Sequence, residues 1–228
     1  MKNGNANIIM IKELSCPYVE VQLDGGVTYG GSQTFYEKDD KRYEKGCGMI
    51  SMLDILSYLE GNTKVVSKKD YCEKFDEFAS KLHWNPGKNG TNVFFLWKKL
   101  VKEIKKRGFS MKVRWGLSIR KIVPRVYEML DRNIPVMLCV PHMIRKKERD
   151  HMLSFYKKKD MGMVEAARTN AHFVTITGVI EEQDAKYFRI SSWGRCYYIN
   201  IEEYLLFVRS HLFGFFLGNI MYIKPKIR

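Results

Sequence analysis

The sequence has no apolar stretch near the roughly 20 residues that a membrane-spanning helix needs, so we expect no membrane span. It also has no C-x-x-C pair, and its five cysteines are scattered and odd in number. A structural zinc site or a disulfide framework is therefore not expected, because both are built from paired ligands or paired cysteines. The N-terminus lacks the basic start and apolar run of a secretory signal. We therefore expect reduced thiols and a cytoplasmic location.

Three common enzyme signatures are also missing from the sequence. It contains no glycine-rich phosphate loop, no G-x-S-x-G elbow and no H-E-x-x-H helix. Nucleotide-dependent, serine-hydrolase and zinc-protease functions consequently have no support from motifs. We expect neither a cofactor nor a metal.

Acidic residues are scarce in two segments. The 228 residues include 39 Lys and Arg against 25 Asp and Glu, a net charge of +14. Residues 98–125 carry eleven basic residues and one acidic residue, and residues 143–160 carry seven and three. Clustered positive charge attracts nucleic acid, but no nucleic-acid motif accompanies it here, so solvated helix faces are the favoured interpretation. Salt-dependent retention on heparin or DNA would test the nucleic-acid hypothesis.

Hydrophobic periodicity predicts helices first and a sheet afterwards, the α+β pattern. A chain of this length fits one large domain, with a helical half over about 46–132 and a twisted antiparallel sheet over about 134–224. Helices are predicted after Gly48, from Ser67, over 92–107, over 118–132 and over 201–208. Strands are predicted over 7–11, 18–23, 109–115, 135–140, 172–180, 187–191, 196–201 and 215–223, those of the first 30 residues at a sheet edge. Residues 34–45 are predicted to be an exposed loop, and residues 143–170, which have no clear element, a mobile lid.

The helix after Gly48 is apolar nearly all round, which places it inside the protein. Gly46-Cys47-Gly48 therefore puts a cysteine at the first turn of a buried helix. The free N–H groups and dipole of that turn are expected to lower the thiol pKa and to face an oxyanion. Glycine on each side would let a substrate approach the sulfur. Cys47 alone is equally well explained as a small buried residue.

A nucleophilic thiol requires a base, and His172 is the best candidate among the five histidines. It opens a predicted strand directly after a long irregular segment, so the sheet would hold the ring against a cleft. His142, just after the strand 135–140, is the reserve candidate. A structural histidine is the alternative for His172.

Taken in order, several short motifs carry a resemblance to a known family. They are Gln33, Gly46-Cys47-Gly48, the strand beginning Pro135-Val136, the strand Ala171-His172-Phe173-Val174 and Ser191-Ser192-Trp193-Gly194. This order resembles the papain-like cysteine peptidases, and more closely their bacterial branch that includes the bacteriocin-leader-processing peptidases. The 125 residues from Cys47 to His172 are near the roughly 130–150 of papain-like enzymes. The resemblance implies a papain-like α+β fold.

Carried over residue by residue, the resemblance makes Cys47 the nucleophile and His172 the general base and acid. Gln33 would supply a side-chain oxyanion donor beside the Cys47 N–H. In the family the glutamine precedes the cysteine by about six positions, whereas here the gap is fourteen. The loop 34–45 would have to bulge outward, and a turn residue after Gly30-Gly31 is the alternative interpretation of Gln33.

Ser191 occupies the position where the family has the residue that orients the histidine. A serine hydroxyl accepts the imidazole N–H but has shorter reach and no charge. Three outcomes are open: a weakened triad, substitution by Ser192 or by a carboxylate such as Asp184, or loss of catalysis. Trp193 would shield the histidine from water.

Two functions follow from this resemblance. The first is a thiol hydrolase that acts on peptide or amide bonds of a peptide or protein substrate through an acyl-enzyme. The second is a catalytically weak relative that binds peptides or a protein partner in the same cleft.

Overall fold

Helix α2 (Cys47–Leu59) is the element around which the fold is organised. The computed structural model describes residues 9–62, 64–88, 90–142, 151–160, 162–182, 184–210 and 218–226. Every residue of α2 from Gly48 to Tyr58 is buried, as the nearly continuous apolar sequence predicts. The helix packs against two strands of the main sheet and against three other helices. Its first turn is thereby held at the junction of helices and sheet.

The elements alternate more than the sequence pattern indicated. The other helices are α1 (Lys41–Lys45), α3 (Lys68–Lys81), α4 (Val93–Lys106), α5 (Ile122–Asp131) and α6 (Ile201–Arg209). The first strands are β1 (Ile9–Glu13), β2 (Val21–Leu23), β3 (Gly26–Val27), β4 (Val66–Ser67), β5 (Met111–Trp115) and β6 (Val136–Val140). The later strands are β7 (Leu153–Lys159), β8 (Gly162–Thr169), β9 (His172–Glu182), β10 (Ala185–Ser192), β11 (Arg195–Asn200) and β12 (Ile220–Pro225). Short 3-10 helices span Gln33–Phe35 and Ile119–Lys121.

The main sheet runs in the order β5-β12-β6-β9-β10-β11-β7-β8, with all neighbours antiparallel. Strand β9 is its longest strand and pairs with β10 on one side. On the other side β6 pairs with the first half of β9 and β1 with the second half. Strands β2, β3 and β4 form a small separate sheet. The fold class is α+β, as predicted.

Local signals in the sequence account for several element ends. The Ser67 hydroxyl accepts a hydrogen bond from the Asp70 N–H at 3.0 Å and caps α3. Gly108 follows α4 with a φ of 73°, in the left-handed region that glycine tolerates. Pro124 is the third residue of α5, where its missing N–H breaks no helical bond.

Four expectations about local structure are wrong. Residues 34–45 are not one exposed loop, because they contain part of a 3-10 helix and α1. Residues 153–159 and 162–169 pair as the hairpin β7–β8 at the sheet edge rather than forming an irregular lid, and residues 143–150 lie outside the described residues. Strand β5, inside the helical half, joins the main sheet through β12. Strand β2, which lies in the predicted strand 18–23 and was expected at a sheet edge, belongs to the small sheet instead, with β3 and β4.

The basic segment 98–125 lies partly on the outer face of α4, where Lys98, Lys102 and Lys105 are exposed. This placement agrees with a solvated helix face. Among the residues that the structure describes, no helix has both the length and the apolar character needed to cross a membrane.

Candidate functional site

The four residues that the sequence analysis selected line one small space. Cys47 lies at its helical side, His172 and Ser191 on the sheet side, and Gln33 on the segment before α1. The space measures about 10 Å³, which is room for a single water molecule. The other lining residues are Gly31, Ile50, Ser51, Asp54, Phe173, Thr175, Ser192 and Trp193.

Cys47 is the first residue of α2, and no side chain caps that helix end. Burial raises the pKa of the Cys47 thiol, while backbone N–H groups of Phe173, Gly48 and Cys47 itself lower it by less. The net pKa lies above the ordinary thiol value, so the expectation of a lowered pKa is wrong for the free protein. The physical reason is that burial removes water that would solvate a thiolate.

The two glycines beside Cys47 serve packing of the backbone. A Cβ at Gly46 would lie 2.2 Å from the carbonyl oxygen of Arg42 in α1. A Cβ at Gly48 would lie 2.6 Å from Leu96 Cδ1 and 3.1 Å from Phe173 Cδ2. Glycine therefore lets α2 approach α1, α4 and β9 closely, and the structure supplies this reason in place of the predicted one, access of a substrate to the sulfur.

His172 begins β9 and is held on both sides. Its Nε2 lies 2.8 Å from the Ser192 hydroxyl, within hydrogen-bond distance. Its ring stacks on Trp193 with the centroids 4.5 Å apart and the planes 19° apart. Burial lowers the His172 pKa to about 3, so the imidazole is neutral at neutral pH. A neutral imidazole is the form that accepts a proton.

Ser192, and not Ser191, is the serine that contacts the histidine. The Ser191 hydroxyl instead donates to the Tyr29 carbonyl at 2.8 Å. Asp184 lies in the turn after β9, at the opposite end of that strand from His172. About ten strand residues separate the two, roughly 33 Å of extended chain, so Asp184 cannot orient the ring. The sequence analysis considered Ser192 only as a substitute for Ser191 in orienting the histidine.

Gln33 reaches the site in spite of the long spacing. The intervening segment folds into the 3-10 helix and α1, and the Gln33 Nε2 donates to the Tyr43 carbonyl in α1. Its Oε1 is buried and has no hydrogen-bond partner among the described residues. Because the Tyr43 oxygen accepts, the nitrogen must face it. His142, the reserve candidate, is exposed and does not line the space around Cys47.

Asp54 is the site residue that the sequence analysis did not select. It lies seven residues after Cys47, two turns along the same face of α2, and is 1% exposed. Its Oδ2 accepts from the Gly31 N–H at 2.9 Å and its Oδ1 from the Tyr71 hydroxyl at 2.6 Å. Burial raises its pKa to about 7 against these two hydrogen bonds, which lower it. The signal available in the sequence was the spacing of the polar residues Cys47, Ser51 and Asp54 on an apolar helix.

Within the described residues, no group of three or more His, Cys, Asp or Glu side chains could hold a metal ion. No protein-family model matches this chain, and no curated protein matches it either.

Proposed function

We propose that this chain is a papain-like thiol hydrolase that cleaves peptide or amide bonds through a Cys47 acyl-enzyme. The observation that carries the proposal is that the starts of two elements, 125 residues apart in sequence, lie at one site. The start of buried helix α2 brings Cys47, and the start of β9 brings His172, to the same small space. The Phe173 N–H of β9 is among the backbone groups that lower the Cys47 pKa, and Phe173 lines the same space.

The protonation states define the first chemical step. Burial raises the thiol pKa and lowers the imidazole pKa, so both groups are neutral before substrate binds. The imidazole takes the thiol proton as sulfur attacks the carbonyl, rather than in a preformed ion pair. With Nε2 facing Ser192, Nδ1 is the nitrogen that accepts the proton.

The remaining steps follow from the groups around the sulfur. The carbonyl becomes an oxyanion, for which the donors are the Cys47 N–H and the second Nε2 hydrogen of Gln33, the one that is not donated to Tyr43. The imidazolium then gives its proton to the leaving amine, and water hydrolyses the thioester to release the acid. One oxyanion donor of this kind is worth about 10²–10³ in rate.

Acyl-enzyme formation with p-nitrophenyl acetate tests the proposal. We expect a burst of p-nitrophenolate and one acetyl group on Cys47, detected by peptide mass spectrometry. Cys47→Ser should abolish the burst, and His172→Gln should slow it by about 10²-fold or more. Cys16→Ser is the matched control, because Cys16 is a free and exposed cysteine. Acetylation of Cys16 alone, or an unchanged rate in His172→Gln, would refute the proposal.

A second function, a catalytically weak protein that binds peptides or a partner in this cleft, is favoured by the small size of the site. The space beside Cys47 has room for one water molecule, and His172 is only 6% exposed. This function predicts no acyl-enzyme from p-nitrophenyl acetate or from broad peptide libraries. It also predicts that iodoacetamide alkylates Cys47 more slowly than Cys16 in the folded protein and equally fast in urea.

A further inference from the structure

The segment Tyr29–Gly31 is held from two sides of the molecule. From α2, the Asp54 Oδ2 accepts from the Gly31 N–H at 2.9 Å. From β10, the Ser191 hydroxyl donates to the Tyr29 carbonyl at 2.8 Å. Both side chains are buried. We call these two hydrogen bonds the clamp.

The clamp leaves no room for a side chain at Gly30. Gly30 has a φ of 82°, in the left-handed region. A Cβ at Gly30 would lie 2.1 Å from the Ser191 Oγ and 2.9 Å from the Asp54 Oδ2. The backbone therefore passes directly between the two clamp side chains, and only glycine fits there.

Gln33 follows this segment by two residues. Ser32 joins them, and its hydroxyl accepts from the Thr34 N–H at 3.1 Å, which caps the short helix that Gln33 begins. The position of the Gln33 side chain in the space that it shares with Cys47 thus depends on where Gly31 is held. Its second tie is the bond to the Tyr43 carbonyl.

Burying the Asp54 carboxylate in the apolar helix α2 is energetically unfavourable. A buried carboxylate needs hydrogen bonds to offset its lost hydration. Asp54 receives two, from Gly31 and from the Tyr71 hydroxyl, and no ion pair with it is found among the described residues. An acceptor of charge-assisted bonds holds its donors more strongly than a neutral side chain does.

We propose that Asp54 and Ser191 are positioning residues that hold Tyr29–Gly31 and, through it, the Gln33 amide at the oxyanion side of Cys47. This inference rests on the proposed function for its catalytic meaning, but its geometric content is testable without catalysis. In the papain-like family, the residue at the position of Ser191 orients the histidine. In this proposal Ser191 positions the oxyanion donor instead.

The geometric test follows the Gln33 side-chain amide resonances by NMR. We expect them to shift in Asp54→Leu, which removes the acceptor of Gly31, and in Ser191→Ala, which removes the donor to Tyr29. Asp54→Asn keeps an acceptor and should restore the wild-type resonances. Ser57→Ala is the matched control, since Ser57 is a buried serine of α2 that bonds Lys74 instead. Unchanged Gln33 resonances in folded Ser191→Ala and Asp54→Leu would overturn the inference.

Ionisation of Asp54 gives a further readout. The groups that face it are Tyr71 and Lys74 from α3, and Tyr18 from the chain before β2. Burial raises the pKa of both tyrosines well above the ordinary value, so they stay neutral. The Gly31 amide proton should therefore titrate with a midpoint near pH 7 in the wild type and should not do so in Asp54→Asn. A Gly31 amide that does not respond to pH in the wild type would contradict the clamp.

The catalytic test separates two reactions of Cys47. Alkylation by iodoacetamide forms no oxyanion, whereas acylation by p-nitrophenyl acetate does. Ser191→Ala and Asp54→Leu should slow acylation by about tenfold or more and change the rate of alkylation by less than about twofold. Gln33→Ala should have the same two effects, because it removes the oxyanion donor itself. Equal slowing of both reactions, or shifted Gln33 resonances with unchanged acylation, would refute the positioning role. A wild-type protein without any Cys47-dependent burst refutes the proposed function, and the NMR result then decides the clamp alone.

Discussion

Replacing Ser192 with alanine should change the state of His172, whereas the same change at Ser191 should not. The two serines are adjacent and similarly buried, at 5% and 6% exposure. Each makes one 2.8 Å hydrogen bond, Ser192 with His172 Nε2 and Ser191 with the Tyr29 carbonyl. They are therefore matched in everything except the group they contact.

The expected losses of stability are alike. Each substitution leaves one buried polar group without a partner, which costs about 1–3 kcal/mol in the free energy of unfolding. For a chain of this size that corresponds to roughly 2–10 °C in Tm. Stability consequently cannot separate the roles of the two serines.

The tautomer of His172 separates them. The proposed chemistry requires the proton on Nε2, donated to Ser192, so that Nδ1 is free to accept from Cys47. ¹⁵N NMR of the histidine ring should show the Nε2–H tautomer in the wild type and in Ser191→Ala. Ser192→Ala removes the acceptor, and we expect a mixture of tautomers. An Nδ1–H tautomer in the wild type, or a change confined to Ser191→Ala, would refute the assignment.

Three further predictions concern pH and packing around the site. Burial lowers the pKa of His172 from its ordinary value of 6.5 to about 3, so acidification from pH 6.5 lowers the free energy of unfolding by up to about 5 kcal/mol. Burial raises the pKa of Asp54 from its ordinary value of 3.8 to about 7, so acidification from pH 7 to pH 3.8 raises the free energy of unfolding by up to about 4 kcal/mol. We therefore expect denaturant unfolding to show that, on going from pH 7 to pH 4, Asp54→Asn loses more stability than the wild type and His172→Gln loses less. The same pH dependence in all three proteins would contradict both predictions. Trp193→Ala should raise the His172 pKa toward 6.5 in an NMR titration, because the stacked ring excludes water; Trp193→Phe should raise it less, and equal values in all three proteins would oppose this account. Gly48→Ala should lower the free energy of unfolding by about 1–3 kcal/mol through its clash with α4, whereas Gly25→Ala, with open space around its Cβ, should not, and equal effects would exclude the clash.

The sequence predicted those features that depend on local pattern. An apolar run after Gly48 required a buried helix, and Ser67 marked the start of the next one, because caps and periodicity act within a few residues. The order of Cys47 and His172 suggested a common site, and the structure brings both to one space.

Other features could not be predicted from the sequence, because they depend on partners far along the chain. The hairpin β7–β8 has polar, basic strands, so its pattern resembles a loop until β11 is there to pair with β7. Asp54 looked like part of a thin polar stripe, since nothing near it in sequence shows that Gly31 and Tyr71 will bond it.

Residue order and local pattern by themselves determined the α+β class, the buried helix that Cys47 begins and the choice of His172. Only the tertiary structure decided that Ser192 contacts the imidazole, that Ser191 and Asp54 hold the segment before Gln33, and that the thiol pKa is raised rather than lowered. The physical reason is distance along the chain: helix caps and periodicity act over a few residues. Desolvation and hydrogen bonding between α2, β9 and β10 exist only after those elements have packed together.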